Sequence, residues 1–405
     1  MHEMARPVGG KIVTRSTRWL LVLAGVGALL LVWRFLAGLG ATTGLNDGYP
    51  WGIWIAWDVV VGTALACGGY AVALLCYVLN RGHYHPLVRS AILTSALGYS
   101  MAGISIVVDV GRYWNLWKVV LFPGKWNLNS VLLEVALCVM AYVVVLWIEL
   151  SPTFLERWRD GAPGFRQRLA AALLPRLERI LIWIIALGLL LPTMHQSSLG
   201  SVMLIARGKL DPVWLTPWLP LLFLVSCITM GYAVVILEAL LSGALLRRPL
   251  ETRLLGDLAW SAAVVTALFL LLRLGDLAVR GQLLRAFHNG WLTLFWVLEL
   301  GAFGGGLAML LQRRRRRRPG HLLRMAMLIL VGGILYRLDT YLVAFSPGPG
   351  WHYFPTIPEQ LITCGFIAVE VLLYIAMVRR FPILAGVRPV SARAAGSGDP
   401  PEGGD

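Results

Sequence analysis

Long apolar runs, broken at short intervals by polar segments, set the pattern of this chain. Runs of about 17 to 25 residues, enough to cross a bilayer as a helix, fall near 17–39, 51–79, 90–108, 128–150, 179–195, 214–246, 255–278, 290–311, 322–344 and 359–378. They predict an all-α integral membrane protein, a polytopic bundle of about ten transmembrane helices. The first run lacks a small-residue cleavage pattern and reads as a retained helix, not a signal peptide. Residues 1–389 then form one polytopic transmembrane domain, and the Ser-, Ala-, Gly- and Pro-rich tail 390–405, with little to bury, reads as disordered. The stretch 163–174, after the fourth run, reads as an amphipathic segment on the inner surface.

Composition supports that reading, and charge orients the bundle. Of 405 residues, 58% are hydrophobic and 14% charged. Mean hydropathy is +0.71, far from that of a soluble globular domain. Basic residues recur at alternate ends of the runs: Arg6, Lys11, Arg15 and Arg18 before the first; Arg81 and Arg89 after the second; Arg157, Arg159, Arg166, Arg168 and Arg176 after the fourth. Arg247, Arg248 and Arg253 follow the sixth, the run from Arg313 to Arg318 follows the eighth, and Arg379, Arg380, Arg388 and Arg393 follow the tenth. Basic loops are retained in the cytoplasm, so both termini are expected there. Topology and anionic lipid then account for the formal net charge of +15, and no nucleic-acid partner is needed. Five cysteines, Cys67, Cys76, Cys138, Cys227 and Cys364, all fall in apolar runs without a CxxC pair. Neither an iron-sulfur cluster nor a disulfide framework is expected in this chain.

Ionisable residues inside apolar helices are rare and mark pairing, proton paths or substrate pockets. Glu134 stands out, in the run from Val131 to Trp147. It reads either as a functional carboxyl or as one protonated or paired within the bundle. With a rise of about 1.5 Å per residue, Asp58 and Glu134 fall about 10 Å below the outer face. His195 ends the fifth run, Asp109 with Arg112 ends the third, and Tyr99 lies deeper on the third. Glu299, Arg337 and Asp339 belong to the outer half, Glu238 and Glu149 to the inner. Plainer readings stand beside these. Asp109 and Arg112 have the spacing of an interfacial ion pair, Glu149 reads as an ordinary headgroup-level residue, and Tyr99 fits an interface or core aromatic. His195 fits a cap on the backbone near Pro192, and Arg337 with Asp339 a compensated pair.

Transmembrane haem usually needs paired axial histidines inside the spans. Of seven histidines, His2, His83, His85, His288, His321 and His352 read as loops or helix ends, leaving His195 without an intramembrane partner. No haem and no metal are expected. A buried acid, histidine and tyrosine suit a transported ion or a lipophilic redox substrate. A quinone needs hydrogen-bond donors to its carbonyl oxygens and a proton source, which these side chains provide.

Several blocks carry a family resemblance. Thr43-Gly-Leu-Asn-Asp-Gly-Tyr-Pro-Trp-Gly-Ile-Trp-Ile-Ala-Trp-Asp58 and Gly62-Thr-Ala-Leu-Ala-Cys-Gly-Gly-Tyr70 resemble the NrfD and polysulfide-reductase membrane-subunit family. The likeness continues through Tyr77-Val-Leu-Asn-Arg-Gly82, Tyr84-His-Pro86, Gly111-Arg-Tyr-Trp-Asn-Leu-Trp117, Trp126-Asn-Leu-Asn-Ser-Val-Leu-Leu-Glu134 and Leu191-Pro-Thr-Met-His-Gln-Ser-Ser-Leu-Gly-Ser201. It is strongest toward the branch that serves periplasm-facing nickel-iron uptake hydrogenases. The resemblance implies a haem-free, multi-pass subunit of the bacterial inner membrane. It would bind menaquinone or ubiquinone near the periplasmic face and dock a ferredoxin-like iron-sulfur subunit there, next to small and large hydrogenase subunits. It places Tyr99, Glu134 and His195 at positions of quinone reaction and proton movement, with Asp109 and Arg112 near the same pocket. Glu134 is then the proton relay, His195 and Tyr99 hydrogen-bond the quinone, and Asp58, Glu238, Glu299 and Arg337 are candidates for a proton path. Two rivals stay open: a secondary transporter binding its coupling ion through Asp58, Glu134 and Glu299, and a passive membrane anchor of another periplasmic oxidoreductase.

Overall fold

The structure, a computed structural model, describes residues 6–161, 163–206, 208–246 and 250–384. The tail 390–405, Arg247, Arg248, Arg388 and Arg393 lie outside the described residues. Ten helices long and apolar enough to cross a membrane follow in order: α1 Arg15–Ala37, α2 Trp54–Val78, α3 Gly82–Asp109, α4 Val131–Arg159, α5 Phe165–Ile205, α6 Leu219–Leu245, α7 Thr252–Val279, α8 Leu292–Leu311, α9 Pro319–Val343 and α10 Ile357–Arg380. Among the described residues the only β-pairing is an isolated bridge between Leu210 and Phe345. Each expected run is matched by one helix. The most apolar window of α2 is 78% buried and that of α6 72%, against 11% for α1 and α5, so α2 and α6 form the interior and α1 and α5 the periphery.

Helix starts are fixed by side-chain caps, which shift some residues from their expected depth. Ser130 Oγ accepts from Leu133 N at 3.3 Å, so α4 begins at Val131 and not at the start of its apolar run. Glu134 therefore sits in the first turn of α4, half-buried, where a carboxylate also meets the positive end of the helix dipole. The expected depth of about 10 Å shrinks to about one helical turn. At the start of α10, Thr356 and Glu359 form a reciprocal capping box. Glu359 Oε2 also accepts from Gly44 N at 2.9 Å, and Oε1 from the Tyr353 hydroxyl at 2.8 Å. Burial, with the Glu359 carboxylate beside it, pushes the Tyr353 phenol up from its ordinary range, so it stays a donor.

α5 runs for 41 residues, and the stretch 165–174 is its first turns and no separate surface segment. Ala170 and Leu174 there pack on Leu155 of α4. The first and last helices close on each other: a Cβ placed on Gly27 would lie 2.8 Å from Gly365 Cα, a contact only small residues allow. Val8 N and Gly9 N donate to Val378 O at 3.2 Å and Arg379 O at 3.1 Å, so both ends of the described chain emerge on one face, the terminal face.

Candidate functional site

α2 is not one regular helix. Wide i→i+5 turns occupy Trp54–Val61 and Leu74–Val78, and the helix breaks between them at Ala66 and Cys67. Glycines on the flanking helices admit the break: a Cβ on Gly98 of α3 would meet Ala66 Cβ at 2.6 Å, and one on Gly231 of α6 would meet Cys67 O at 2.7 Å. Cys67 Sγ lies 3.4 Å from the Tyr99 hydroxyl.

Around this break α2, α3 and α5 share a polar network with no exposure. The Thr63 hydroxyl gives its proton to Val59 O one turn back. It can then only accept, from Gln196 Nε2 at 3.1 Å and from His195 Nε2 at 3.2 Å. That assigns the ring hydrogen of His195 to Nε2 and leaves Nδ1 as a lone pair without a partner. Gln196 Nε2 also reaches the Tyr99 hydroxyl at 3.3 Å, while its Oε1 is unpartnered. The Tyr99 ring meets His195 edge-on at 5.7 Å and Tyr142 of α4 at 4.6 Å. His195 is thus no cap on the backbone near Pro192. α5 continues to Ile205, which places His195 in the interior.

Arg337 closes the network from α9. Its Nη1 donates to Val60 O at 2.9 Å, in the wide turn of α2, and Nη2 to Phe223 O at 2.8 Å and Ser226 Oγ at 3.2 Å. The guanidinium lies 4.7 Å from the Phe223 ring centroid, and its Nε is unpartnered. No ion pair joins Arg337 to Asp339 among the described residues, contrary to the compensated pair that adjacency suggests. Asp339 belongs to a second enclosed group, where Arg273 pairs with Glu299 at 3.4 Å, both at 0% exposure, and Trp214 Nε1 donates to Glu299 at 3.1 Å. Both Asp339 carboxylate oxygens, the Tyr336 hydroxyl and Arg273 Nη2 are buried there without partners.

The remaining candidates divide between two places. Asp58 and Glu238 lie along the seam of α3 and α10. Asp58 Oδ2 accepts from Ser105 and Thr363, each at 3.1 Å, and Glu238 accepts from Thr94 at 3.1 Å and Tyr374 at 2.6 Å. Between them on α10 is Glu370, absent from the sequence candidates, whose carboxylate borders Gly98 at the α2 break. Asp109 and Arg112 do not meet: Asp109 Oδ1 is buried without a partner, Arg112 is exposed beyond the helix end, and no ion pair joins them among the described residues. The arginine that secures the end of α3 is Arg34 of α1, bonded to Val108 O at 2.7 Å and Val110 O at 3.0 Å. Glu134 touches none of the network directly. It shares a face of α4 with Cys138 and Tyr142 at four-residue spacing, and Tyr142 carries that line to Tyr99.

This broken α2, wedged among glycines beside a buried His, Gln and Tyr, belongs to a membrane protein of the NrfD family. The family model "Polysulphide reductase, NrfD" matches residues 41–343. The chain is 42% identical over 389 residues to the "probable Ni/Fe-hydrogenase 2 b-type cytochrome subunit" of Escherichia coli K12, covering 95% of this chain and 96% of that one. It is also 27% identical over 380 residues to the "menaquinone reductase, integral membrane subunit" of Nitratidesulfovibrio vulgaris Hildenborough, covering 88% of each. The chain is thus a membrane subunit of the hydrogenase and quinone-reductase type.

The cytochrome in the first relative's name raises the question of haem. A b-type haem in a helical bundle takes a pair of axial histidines. Here His195 is bonded to Thr63 in the interior, while the other buried histidine among the described residues, His321, stands at the start of α9 with Nε2 held by Met309 O at 2.8 Å. His83, His85, His288 and His352 lie at helix ends or in loops. The described histidines therefore do not fit a haem.

Proposed function

We propose that this chain is the quinone-reactive membrane subunit of a respiratory hydrogenase complex. Two electrons from a periplasmic iron-sulfur subunit, itself fed by nickel-iron hydrogenase subunits, would reduce a menaquinone or ubiquinone held at the Tyr99–His195–Gln196 network. The observation that carries this reading is the hydrogen inventory of that network. His195 Nδ1 and Gln196 Oε1 are bare acceptors of the kind that a quinol hydroxyl satisfies, and Arg337 Nε is a bare donor of the kind that a quinone carbonyl accepts from. Reduction adds one proton to each carbonyl oxygen, and release of quinol hands both acceptors back. The names of the two relatives, one a hydrogenase subunit and one a menaquinone reductase subunit, support the same class of reaction.

In this reading Glu134 exchanges protons at the face opposite the termini and passes them along Cys138 and Tyr142 to Tyr99. Asp58, Glu370 and Glu238 offer a second line of acids, while Glu299 and Arg337 act as fixed charges. Asp109, one turn above Ser105, borders the same region, and Arg112 serves the docking face. In this reading the terminal face, with both chain ends, would lie in the cytoplasm of the bacterial inner membrane, an orientation that the basic loops support. Purification of the full chain with its native partners tests the whole: iron-sulfur and nickel-iron subunits should copurify. Hydrogen-driven quinone reduction should fall about a hundredfold in His195→Leu, with binding of a fluorescent quinol analogue weakened. Wild-type turnover in that variant would sink the proposal. The interrupted α2 is also what an ion-coupled transporter would show, and uptake of a solute driven by an ion gradient would favour that rival.

A further inference from the structure

A cavity of about 390 Å³ lies between α2, α3, α4 and α5 on the terminal side, far from the helix end that bears Glu134. Its mouth is polar. Exposed Glu178 and His85 flank it, and Arg89 grips Glu156 through two bonds of 2.7 and 2.8 Å. Its walls are a stripe of α5 at one-turn spacing, Leu174, Leu177, Leu181 and Ile185, facing Thr153 and Leu150 of α4. At its inner end stands Glu149, its carboxyl set against α5 at Gly188: a Cβ there would lie 2.5 Å from Glu149 Oε1 and push the carboxyl aside.

Glu149 reads from sequence as an ordinary headgroup-level acid, and the helix geometry changes that. It lies ten residues from the end of α4, about 15 Å along the axis. Seven residues further in, on the same face, is Tyr142, whose ring meets Tyr99 at 4.6 Å. The face of α4 that carries Tyr142 therefore has one acid toward each side of the membrane, Glu134 before it and Glu149 after it. An acid at the blind end of a polar-mouthed cavity, one step from a redox pocket, has the geometry of a proton donor.

We infer that this cavity is a water-filled inlet through which protons from the terminal face reach the Tyr99–His195 pocket, with Glu149 as its inner proton donor. The inference rests on the quinone reading above. The balance is simple: a quinone takes two electrons from the iron-sulfur partner and two protons, one on each carbonyl oxygen. Twice per turnover, Glu149 gives up a proton toward Tyr142 and Tyr99 and regains one from the cavity. Gly188 is a positioning residue that lets the carboxyl sit at the end of the channel.

Two measurements test this on the full chain in its native complex, in sealed vesicles of known orientation, with Cys364 replaced by serine. A membrane-impermeant maleimide applied to the terminal face should modify Leu181→Cys and Ile185→Cys. It should spare Trp183→Cys, whose side chain is 72% exposed on the outside of the bundle. Equal lack of reaction at all three positions would overturn the inlet. In the second measurement, Glu149→Gln should slow hydrogen-driven quinone reduction about a hundredfold while binding of the fluorescent quinol analogue is unchanged, with Glu149→Asp restoring part of the rate. Gly188→Ala should reproduce the slowing with the carboxyl intact. A wild-type rate in Glu149→Gln, or slowing confined to Glu238→Gln, would overturn the assignment. Failure of the wild-type chain to bind the analogue would sink the quinone reading instead, and the maleimide pattern would still decide whether the channel exists.

Discussion

At the scale of single residues, the site is governed by how few protons its members share. Thr63 is the pivot, because its one hydroxyl hydrogen is committed to Val59 O and both His195 and Gln196 depend on its lone pairs. Thr63→Val would leave two buried donors unpaired, at about 1–3 kcal/mol each. Its thermal midpoint in detergent should fall and quinone reduction collapse, whereas Thr63→Ser should behave as wild type. The Arg273–Glu299 pair obeys the opposite logic, since two charges at 0% exposure are tolerable only together. Glu299→Leu should destabilise by about 3–5 kcal/mol, and Arg273→Met in the same chain should recover most of that loss. Thermal unfolding of the single and double variants measures the difference. How much of this was legible in sequence depends on residue chemistry. His195, Tyr99 and Glu299 announce themselves as polar groups in apolar runs. Thr63, Cys67 and Gln196 do not, because such residues are unremarked in helices and acquire meaning only from a neighbour many residues away. Arg273, the partner of Glu299, and Glu370 carry the same signal as His195 and Glu299, an ionisable side chain inside an apolar run, yet neither stood among the sequence candidates.

The elements were easier to read than their ends. Hydropathy is a property of the whole run, so all ten helices were expected; their boundaries depend on single capping contacts such as Ser130 with Leu133 N, which moved Glu134 toward the surface. The interruption of α2 had only a faint sign in sequence, the pair Gly68-Gly69, since Ala66 and Cys67 themselves do not oppose a helix. The broken segment packs closely on Gly98 and Gly231, which leave it the room that a side chain would fill. Gly231→Ala would put a Cβ 2.7 Å from Cys67 O and force α6 from α2, at about 1–3 kcal/mol. Gly103→Ala, where nothing lies within 4 Å, should be silent or slightly stabilising. Comparing their melting points tests whether the break is held by packing.

For the molecule as a whole, the described chain folds as one bundle with a buried polar network at its centre and acids reaching toward either side. The proposed orientation predicts that reporter domains fused to the N- and C-terminus both remain cytoplasmic, and that a reporter inserted near Lys125 is periplasmic; the reverse pattern would turn the proton inlet to face outward. One feature also bears on how such a chain is made. Gly27 of α1 is matched by Gly365 of α10, so α1 must wait for a helix made much later in synthesis before its seam is covered. During that interval α1 rests on its own hydropathy, at 2.3 the equal of the bundle's interior helix α6. The ring of helices closes as a late step, and a chain truncated before α10 should insert correctly yet stay open, a substrate for membrane proteases.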